Sequence, residues 1–414
     1  MKNSTTGLPK AALTLHGRSF TAWRVWISIN GFGRRSRIYT VMPLYHSTAL
    51  TLCIGLTWLS RSTVIIGRKF SASGFWDEVR LGRANTIQYV GEVLRYLLAT
   101  PPSPLDKAHD VWLAYGNGCR PDVWDKFRER FGVPVISEFF ASSEGNGSLF
   151  NRSPNFYAAG AVGREGFLMS LFQKKQQVLL RVDPLTEEPA RGKDGLCVRA
   201  ADGERGELVC RVVEGSGYQA FAGYYNNRAA TEKKLIRDVL VKGDCYFRTN
   251  DLLLRTSSGL WYFADRLGDT FRWRSENVST AEVAEKLGGV LNECVVYGVL
   301  VPGHDGRAGC AAIPQKPEEV DLAKLAAHVQ KTLPKYAQPL FLRFADEIPT
   351  TGTSKPQKTK LRNEGVDPAL TGSDAVYWLH PEKGGEYVRF TEEDWRALEE
   401  GGKEGGKGRG AWKL

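Results

Sequence analysis

The sequence predicts an α/β fold with a large N-terminal domain of mainly parallel sheets, a β-rich subdomain and a small α+β C-terminal domain. Three observations predict it. From about residue 36 to 137, short apolar strands alternate with helical segments, which requires crossover connections and parallel strands. From about 178 to 263, short strands and Gly-rich turns indicate the β-rich subdomain. From about 268 onward, a shorter set of helices and strands indicates the α+β domain.

The first segment contains nine predicted elements, whose type follows from apolar periodicity and from the turn residues between them. In chain order they are the strand "SRIYTVMP", the helix 47–60, the strand "STVIIG", the helix "FSASGFWDEVR", the strand "TIQYV", the helix "GEVLRYLLA", the strand "VWLAYG", the helix "PDVWDKFRERF" and the strand "VPVISEFF". The helix 47–60 is the most apolar stretch, but a bilayer span needs roughly 20 residues. We therefore expect it to be a buried core helix.

In the remaining segments the predicted strands include "ERGELVCRV", "GLWYFADR", "ECVVYGVLV" and "PLFLRFA". The helix "STAEVAEKL" begins with a capping box formed by Ser279 and Glu282, and "DLAKLAAHVQKTL" is a second helix. Residues 399–414 are rich in Gly and charge, so we expect a disordered tail.

Composition excludes several classes of protein. Of the 414 residues 42% are hydrophobic and 25% charged, which is typical of a globular protein. The net charge of +10 favours anionic partners, but no dense basic cluster is interleaved with aromatics, so nucleic acid is not expected. The seven cysteines are dispersed without a CxxC pair, which argues against a disulfide framework and a zinc site.

Two nucleotide-binding motifs are incomplete in this sequence, and two hydrolase motifs are absent. The spacing of Gly401, Gly406 and Lys407 fits a phosphate loop, but no Ser or Thr follows. The stretch "GFGRR" lacks the third glycine of a dinucleotide fingerprint because Ser36 stands there. No HExxH or GxSxG occurs, so neither a metalloprotease nor a nucleophile-elbow hydrolase is indicated.

A stronger candidate is "NSTTGLPKAA" at 3–12. Its hydroxyls can donate to a phosphate, Gly7 permits close backbone approach, and Lys10 supplies a cation. Taken alone, such a run is more often a plain turn. The interpretation as a phosphate loop depends on the rest of the chain.

Four further polar stretches follow it. In "EFFASSEGN", Glu144 comes just after an apolar strand, and magnesium is typically held by one or two carboxylates plus substrate phosphates. In "RTNDLLLR", Asp251 suits two ribose hydroxyls. The stretches "DRLGDTFRWRSEN" and "TTGTSKPQKTK" add charge and Lys355. Each alone is compatible with a turn or a solvated connector, but the five together, in this order, favour a nucleotide site.

This set of stretches resembles the adenylate-forming acyl-CoA synthetases, and within them the fatty acid transport protein, or very-long-chain acyl-CoA synthetase, branch. The similarity covers about residues 4 to 368. The phrases that carry it are "MPLYHSTAL", "FSASGFWDEV", "YVGEVLRYLLATP", "GNGCRPDVWDKFRERFGVPVISEF", "EGN", "DRLGDTFRWRSENVSTAEVA", "VYGVLVPGHDGRAG" and "PLFLRF…TGTSK".

The resemblance implies a reaction in two steps, with ATP, Mg2+ and coenzyme A. A fatty carboxylate attacks the α-phosphate of ATP, and the thiol of coenzyme A then displaces AMP. It also implies an adenylation domain over 1–264, a hinge at 265–269 and a C-terminal domain over 270–398.

Roles for individual residues are likewise implied only by the resemblance. They are Thr5, Thr6, Gly7 and Lys10 over the β- and γ-phosphates; His46 beside the acyl pocket; Gly116, Asn117 and Gly118 around the adenine, with Phe140 stacked on it; Ser143 and Glu144 at the phosphates, with Glu144 on magnesium; Asp251 and Arg266 on the ribose; Lys355 on the α-phosphate and the carboxylate; and Gly268 as the hinge about which the C-terminal domain turns.

The sequence departs from the family at a few glycines and at its start. Asn250 replaces a glycine before Asp251, Ala141 and Ser275 replace two more, and the phosphate loop lacks its first glycine. Because the family has a long portion in front of this loop, we expect a truncated piece of a larger synthetase. Its first domain would be incomplete at its start, leaving sheet strands unpaired.

The altered loop leaves two alternatives open. One is a catalytically impaired or non-catalytic lipid-handling protein, and the other is a different adenylating enzyme such as a carnitine- or bile-acid-type ligase. The expected partners are a long- or very-long-chain fatty acid and a membrane surface, and a homodimer is left open. The resemblance implies association with the plasma membrane, endoplasmic reticulum or lipid droplets, whereas the terminal Trp412-Lys413-Leu414 resembles a peroxisomal address.

Overall fold

A computed structural model describes residues 2–3, 10–183, 186, 188–215, 220–267, 270–273, 276–304, 306–348, 358–380 and 385–403. The chain divides into two units, Met1–Phe263 and Ala264–Leu414. The predicted α/β class is confirmed. The predicted roles of the domains and the hinge at 265–269 remain predictions.

A six-stranded sheet forms the first part of unit one. A hairpin of β1 (Lys2–Asn3) and β2 (Lys10–Ala11) precedes it. The sheet strands are β3 (Arg37–Thr40), β4 (Thr63–Ile66), β5 (Thr86–Val90), β6 (Leu113–Asn117), β7 (Val135–Ala141) and β8 (Ser148–Ser153). Their order is β4-β3-β5-β6-β7-β8, and all pairs are parallel except β7 with β8. The predicted parallel sheet is confirmed.

Helices connect these strands. They are α1 (His16–Asn30), α2 (Ser47–Ala49), α3 (Leu56–Ser60), α4 (Phe75–Leu81), α5 (Gly91–Ala99) and α6 (Pro121–Phe131), with a π-helical turn at Leu50–Gly55 between α2 and α3. In α6, Pro121 occupies the first turn, where its missing N–H costs no hydrogen bond, and Gly132 ends the helix in a left-handed conformation.

Two details differ from the sequence-based expectation. The stretch 47–60 is helical but not wholly buried, since Trp58 is exposed on its outer side. Helix α1 was not predicted. Gly31, in the stretch "GFGRR", ends this helix with a φ of 68° and donates its N–H to the carbonyl of Ile27. The glycine there is explained by helix termination.

The β-rich subdomain is confirmed as a second six-stranded sheet. Its strands are β9 (Gly163–Arg164), β10 (Gln177–Leu180), β11 (Arg205–Arg211), β12 (Leu235–Arg237), β13 (Cys245–Arg255) and β14 (Leu260–Arg266). Their order is β10-β11-β13-β14-β9, and β12 pairs with β13. Two short helices, α7 (Phe167–Gln173) and α8 (Arg228–Glu232), lie in its connections.

Unit two contains a hairpin, a five-stranded sheet and several helices. The strands are β15 (Phe271–Trp273), β16 (Glu276–Val278), β17 (Val295–Val299), β18 (Ala308–Ile313), β19 (Phe341–Phe344), β20 (Ala375–Leu379) and β21 (Tyr387–Arg389). The helices are α9 (Thr280–Leu287), α10 (Leu322–Thr332), α11 (Lys358–Glu364), α12 (Pro368–Thr371) and α13 (Glu392–Lys403). The sheet order is β17-β18-β19-β20-β21.

The ends of two helices bear on the predictions. Ser279 caps α9 by accepting the N–H of Glu282 at 3.2 Å, as the capping motif predicts. Helix α13 continues to Lys403, and its Leu398 is buried in the unit-two core. The predicted disorder of the tail remains a prediction. Residues 404–414 lie outside the described residues. Within the described part of the chain, every helix is too short or too polar to cross a membrane.

Candidate active site

A buried carboxylate, Glu144, lies in the loop that follows β7. Its Oε1 accepts a hydrogen bond from the hydroxyl of Tyr224 at 3.0 Å, and both side chains are buried. Burial, together with the nearby charge of Glu144, raises the pKa of Tyr224 above its ordinary value. Tyr224 therefore stays protonated and remains a donor to Glu144.

The segment after the predicted phosphate loop reaches the same tyrosine. The Leu13 N–H donates to the Gly223 carbonyl at 3.0 Å, and the Tyr225 N–H donates to the Ala11 carbonyl at 2.8 Å. This pairing places the Lys10 Nζ 5.5 Å from the centre of the Tyr224 ring, a cation–π distance. Lys10 thus lies over the Tyr224 ring, whereas Glu144 contacts the hydroxyl of the same side chain.

The hairpin β1–β2 brings the two ends of the predicted phosphate loop together, because Lys2 pairs with Ala11 and Asn3 with Lys10. A short antiparallel pair of this kind closes the loop between its strands. Thr5, Thr6 and Gly7 themselves lie outside the described residues.

Ser143 and His46 belong to neighbouring segments. The Ser143 Oγ lies 3.0 Å from the Ser47 Oγ, and the His46 Nδ1 accepts the Thr48 N–H at 3.3 Å, which caps α2. Arg18 donates to the carbonyl oxygens of Ser142 and Ser143 at 3.0 and 3.2 Å. Sequence reasoning missed Arg18, which holds the Glu144 loop from a helix more than a hundred residues away.

The predicted adenine residues lie at the carboxyl end of β6. A side chain at Gly116 would place its Cβ 2.0 Å from the Tyr89 carbonyl oxygen, and Gly118 has a φ of 84°, so both positions require glycine. The Oδ1 of Asn117 is buried and has no hydrogen-bond partner among the described residues. A buried acceptor of this kind fits a ligand with an amino group, such as adenine.

Phe140 lies at the far end of β7 and is half-buried. Its ring centre is 6.5 Å from that of Phe263, and it packs against the core of the second sheet. Stacking on adenine remains a prediction.

Glu138 stabilises the predicted adenine loop by hydrogen bonds to its backbone, a role that sequence reasoning did not assign. Its buried carboxylate accepts the N–H groups of Gly118 and Cys119 and the hydroxyl of Tyr89. Burial raises the pKa of Glu138 to about 8, although these three donors act in the opposite direction. Glu138 therefore fixes the backbone of the loop while it is largely protonated near neutral pH.

The predicted ribose carboxylate, Asp251, is buried in β13. Asn250 before it has a φ of 60°, a conformation that asparagine tolerates better than most residues. The Asn250 N–H donates to Glu207, whose carboxylate also receives the Arg248 guanidinium at 2.8 Å. The replacement of a glycine at position 250 is thus accommodated without loss of the bend.

Arg266 is half-buried and belongs to unit two, where its N–H donates to the Asp265 Oδ1 at 2.8 Å. Lys355 and Gly268 lie outside the described residues. Their predicted roles remain predictions.

A half-buried lysine that sequence reasoning missed, Lys234, is hydrogen-bonded to the residue before Asp251. The Lys234 Nζ donates to the Asn250 Oδ1 at 2.7 Å and lies 5.6 Å from the centre of the Phe247 ring. Burial lowers the pKa of Lys234, whereas the charges of Glu144 and Asp251 raise it. The adjacent Lys233 is exposed, so the sequence offers no signal that separates the two lysines.

The donor set bears on magnesium. Among the described residues there is no cluster of three or more His, Cys, Asp or Glu side chains that could hold a metal. Magnesium in nucleotide sites commonly uses one or two carboxylates and takes its other ligands from phosphates and water. A single buried Glu144 next to the predicted phosphate loop fits that mode of binding.

Comparison with known proteins identifies the family and the fold. The profile of the AMP-binding enzyme family matches residues 4–225, and that of the AMP-binding enzyme C-terminal domain matches residues 289–355. The structure superposes on ATP-bound MatB from Rhodopseudomonas palustris with a TM-score of 0.70 at 20% identity, over 87% of this chain and 66% of that one. At that identity the match shows the fold alone.

Two relatives are similar in sequence. The chain is 43% identical to the very long-chain fatty acid transport protein of Cochliobolus heterostrophus, over 96% of this chain and 62% of that protein. It is 41% identical to isopenicillin N epimerase component 1 of Hapsidospora chrysogena, over 96% of this chain and 68% of that one. The chain spans less than two thirds of the length of its first fatty acid transport relatives. It belongs to the AMP-binding enzyme family, in the branch that contains the long-chain and very long-chain fatty acid transport proteins.

Proposed function

We propose that this chain carries the part of an AMP-forming ligase that activates the fatty acid with ATP. The ligase joins long- or very-long-chain fatty acids to coenzyme A. The observation that supports the proposal is the set of contacts around Glu144 and Asp251: Tyr224 links Glu144 to Lys10, and Lys234 bonds to Asn250, the residue before Asp251. A cation, a buried carboxylate for magnesium and a carboxylate for the ribose are the groups that ATP binding requires.

The first half-reaction forms an acyl-adenylate. A carboxylate oxygen of the fatty acid attacks the α-phosphorus of ATP, the bond from that phosphorus to the bridging oxygen breaks, and pyrophosphate leaves with the electron pair. Both reactants are anionic, so the site must offset their repulsion. Lys10 and Lys355 would supply positive charge, and magnesium, held by Glu144 and phosphate oxygens, would neutralise part of the phosphate charge.

The second half-reaction forms the thioester. The sulfur of coenzyme A attacks the acyl carbon, the bond from that carbon to the AMP oxygen breaks, and the thiol proton passes to solvent. In our proposal, Asn117 and the glycines beside it hold the adenine, Phe140 stacks on it, and Asp251 and Arg266 hold the ribose through both steps. Gly268 would be the hinge that brings the C-terminal domain into the second step.

The proposed preference for long acyl chains rests on the similarity to long-chain and very long-chain fatty acid transport proteins. Each buried methylene contributes about 0.8 kcal/mol to binding, so a long apolar chain can dominate the affinity for the acid. We place the head of that acyl pocket beside His46, next to the Ser143 segment.

The test measures pyrophosphate release and acyl-CoA formation by the purified chain. The assay supplies ATP, magnesium, coenzyme A and saturated fatty acids from palmitate to lignocerate. We expect Lys355→Ala to lower kcat by roughly a hundredfold to a thousandfold, the scale of losing one preorganised charge contact. Lys360→Ala, an exposed lysine on α11, is the matched control and should leave turnover unchanged.

Turnover that survives Lys355→Ala would contradict the proposed chemistry. A folded chain that binds a fatty acid but releases no pyrophosphate would support the rival, a non-catalytic lipid-handling protein. The second candidate, an adenylating enzyme for another acid, is favoured by the 41% identity to isopenicillin N epimerase component 1. Pyrophosphate release with carboxylic acids other than fatty acids would support that candidate.

The cellular location is part of the proposal. We propose a membrane-associated enzyme that faces a reducing compartment, because the net charge of +10 suits an anionic leaflet. A peroxisomal address at Trp412-Lys413-Leu414 is the alternative, and it lies outside the described residues.

A further inference from the structure

Helix α7 carries an unusual concentration of exposed apolar side chains. Phe167, Leu168, Met169, Leu171 and Phe172 are 77%, 71%, 53%, 57% and 80% exposed. Not one residue of the helix is buried. The helix therefore contributes nothing to the core of the second sheet, although five of its seven residues are large and apolar.

Single exposed apolar residues are ordinary on protein surfaces, and Leu81, which is 87% exposed, is an example in this chain. Five exposed apolar residues within six consecutive positions are unusual, because together they expose a continuous apolar patch to water. Such patches usually mark a surface that another apolar phase covers.

Basic residues lie at both ends of this helix. Arg164 precedes the helix and lies 5.5 Å from the centre of the exposed Tyr157 ring, while Lys174 and Lys175 follow the helix and are exposed. The acidic residue before the helix, Glu165, is paired with Arg255 at 3.3 Å and is mostly buried. The rim of the patch therefore presents cations and an aromatic ring.

We propose that α7 docks onto an anionic lipid surface. Its apolar side chains enter the boundary between headgroups and acyl chains, and Lys174 and Lys175 contact the anionic headgroups. A helix of seven residues is about 10 Å long, so it lies in the interface and does not span the bilayer. Charge complementarity selects lipid over a second copy of this chain, whose patch would carry the same positive rim.

The experiment is cosedimentation of the purified chain with vesicles of phosphatidylcholine alone or with phosphatidylserine added, at low and high salt. We expect stronger binding to the anionic vesicles and a decrease with salt. The triple substitution Phe167→Ser, Leu168→Ser and Phe172→Ser should weaken binding at least about tenfold, because three apolar side chains no longer leave water. Leu81→Ser, equally exposed but isolated, is the matched control and should bind like the unmodified chain.

A second variant, Lys174→Gln with Lys175→Gln, should reduce the preference for anionic vesicles and its salt dependence. Circular dichroism verifies that the variants fold. We expect no loss of folding, because the substituted side chains are exposed and do not pack in the core. Binding by the triple variant equal to that of the unmodified chain would overturn the proposal. A different result would also overturn it: gel filtration shows an oligomer, and the triple substitution converts this oligomer to a monomer without changing vesicle binding. The patch would then be covered by a second copy of the chain.

A separate observation concerns Lys234. Its Nζ is fixed by the Asn250 Oδ1 at 2.7 Å, by the Arg248 carbonyl at 3.4 Å and by the face of Phe247. Asn250 stands where the resembling family has a glycine, and a glycine has no side-chain oxygen that could accept this hydrogen bond. This chain therefore has a contact between Lys234 and the bend before Asp251 that a glycine could not make.

The charges of Glu144 and Asp251 both act on the Lys234 ammonium. Glu144 lies in the loop after β7 and Asp251 lies in β13, and both are buried. The positive charge of Lys234 offsets part of their negative charge, to which bound ATP adds more.

We infer that Lys234 is a positioning residue for nucleotide binding, an inference that rests on the proposed function. Through its bond to Asn250 it holds the backbone before Asp251, the carboxylate assigned to the ribose, and it does not itself react. The same contact makes Asn250 a residue that supports Asp251 through its side chain.

The test is isothermal titration of the chain with Mg·ATP, together with KM values for ATP and for the fatty acid. We expect Lys234→Met to weaken Mg·ATP binding about tenfold and to raise the KM for ATP in proportion, with the KM for the fatty acid unchanged. Lys234→Arg should restore part of the loss, and Asn250→Gly should give a smaller loss. Lys233→Met, the exposed neighbour, is the matched control.

Equal affinities for Lys234→Met and Lys233→Met would overturn this inference, and so would an equal rise of both KM values. If Lys234→Met does not fold, Asn250→Gly decides: unchanged Mg·ATP affinity in that variant overturns the inference. An unmodified chain that does not bind Mg·ATP at all contradicts the proposed function itself, which is a distinct result.

Discussion

At the scale of single residues, the proposed site depends on side chains that hold other groups in place. Glu144 and Asp251 were predicted from short motifs, because acids beside apolar residues stand out in the sequence. Tyr224, Lys234, Glu138 and Arg18 were not, because these residue types are common and only their contacts in the fold distinguish them.

The raised pKa of Glu138 predicts a dependence of stability on pH. Because the folded state keeps this proton up to about pH 8 while the unfolded chain releases it near the ordinary pKa of 4.5, stability is greatest below that value and decreases as pH rises through 8. Glu138→Gln keeps the shape and cannot ionise. We expect its free energy of unfolding, relative to the unmodified chain, to rise between pH 5 and pH 9.

Denaturant unfolding of both proteins at several pH values measures that difference. The variant should match the original chain near pH 5 and exceed it near pH 9 by an amount on the order of a few kcal/mol. A difference that does not change with pH would show that the folded-state pKa of Glu138 is not raised.

At the scale of elements, the carboxyl ends of two parallel strands supply part of the proposed site, as is usual for open α/β sheets. Strand β6 delivers the adenine loop and β7 delivers the Glu144 loop, while β13 of the second sheet delivers Asp251. The alternation of strands and helices was readable because each buried strand is a short apolar run. The partner segments 10–13 and 223–225 were not, because their pairing joins positions about 210 residues apart.

Gly116 tests how closely β5 and β6 must approach. A Cβ there would lie 2.0 Å from the Tyr89 carbonyl oxygen, and a backbone atom within a sheet cannot move away cheaply. We expect Gly116→Ala to destabilise the chain by roughly 1–3 kcal/mol, as overpacking does, and to weaken nucleotide binding.

Thermal or denaturant unfolding checks this prediction. Gly33→Ala is the control, because a Cβ at Gly33 meets no atom within 4 Å. Equal stability of the two variants would mean that β5 and β6 are not in close contact at this point.

At the scale of the whole molecule, the proposed site predicts stabilisation by its ligand. A ligand that binds only the folded state at a hundred times its Kd adds about 2.7 kcal/mol to the free energy of unfolding. We expect Mg·ATP to raise the Tm of the transition that includes unit one by several degrees, and removal of magnesium with a chelator to reverse most of the rise. Differential scanning calorimetry measures it.

Glu144→Gln provides the comparison for that experiment. This variant should lose most of the magnesium dependence while it keeps the Tyr224 contact, because an amide oxygen still accepts the hydroxyl. A magnesium effect of equal size in the variant would remove Glu144 from the metal site.

The sequence by itself determined the α/β class, the alternation of strands and helices from about residue 36 to 137 and the β-rich subdomain, because apolar periodicity is a property of a few neighbouring residues. Only the tertiary structure decided that Tyr224 bonds to Glu144, that Lys234 is the less exposed of two adjacent lysines, and that α7 leaves its apolar side chains in water. These facts depend on contacts between distant segments. Burial, which sets both the charge balance and the exposed surface, is a property of packing and not of local sequence.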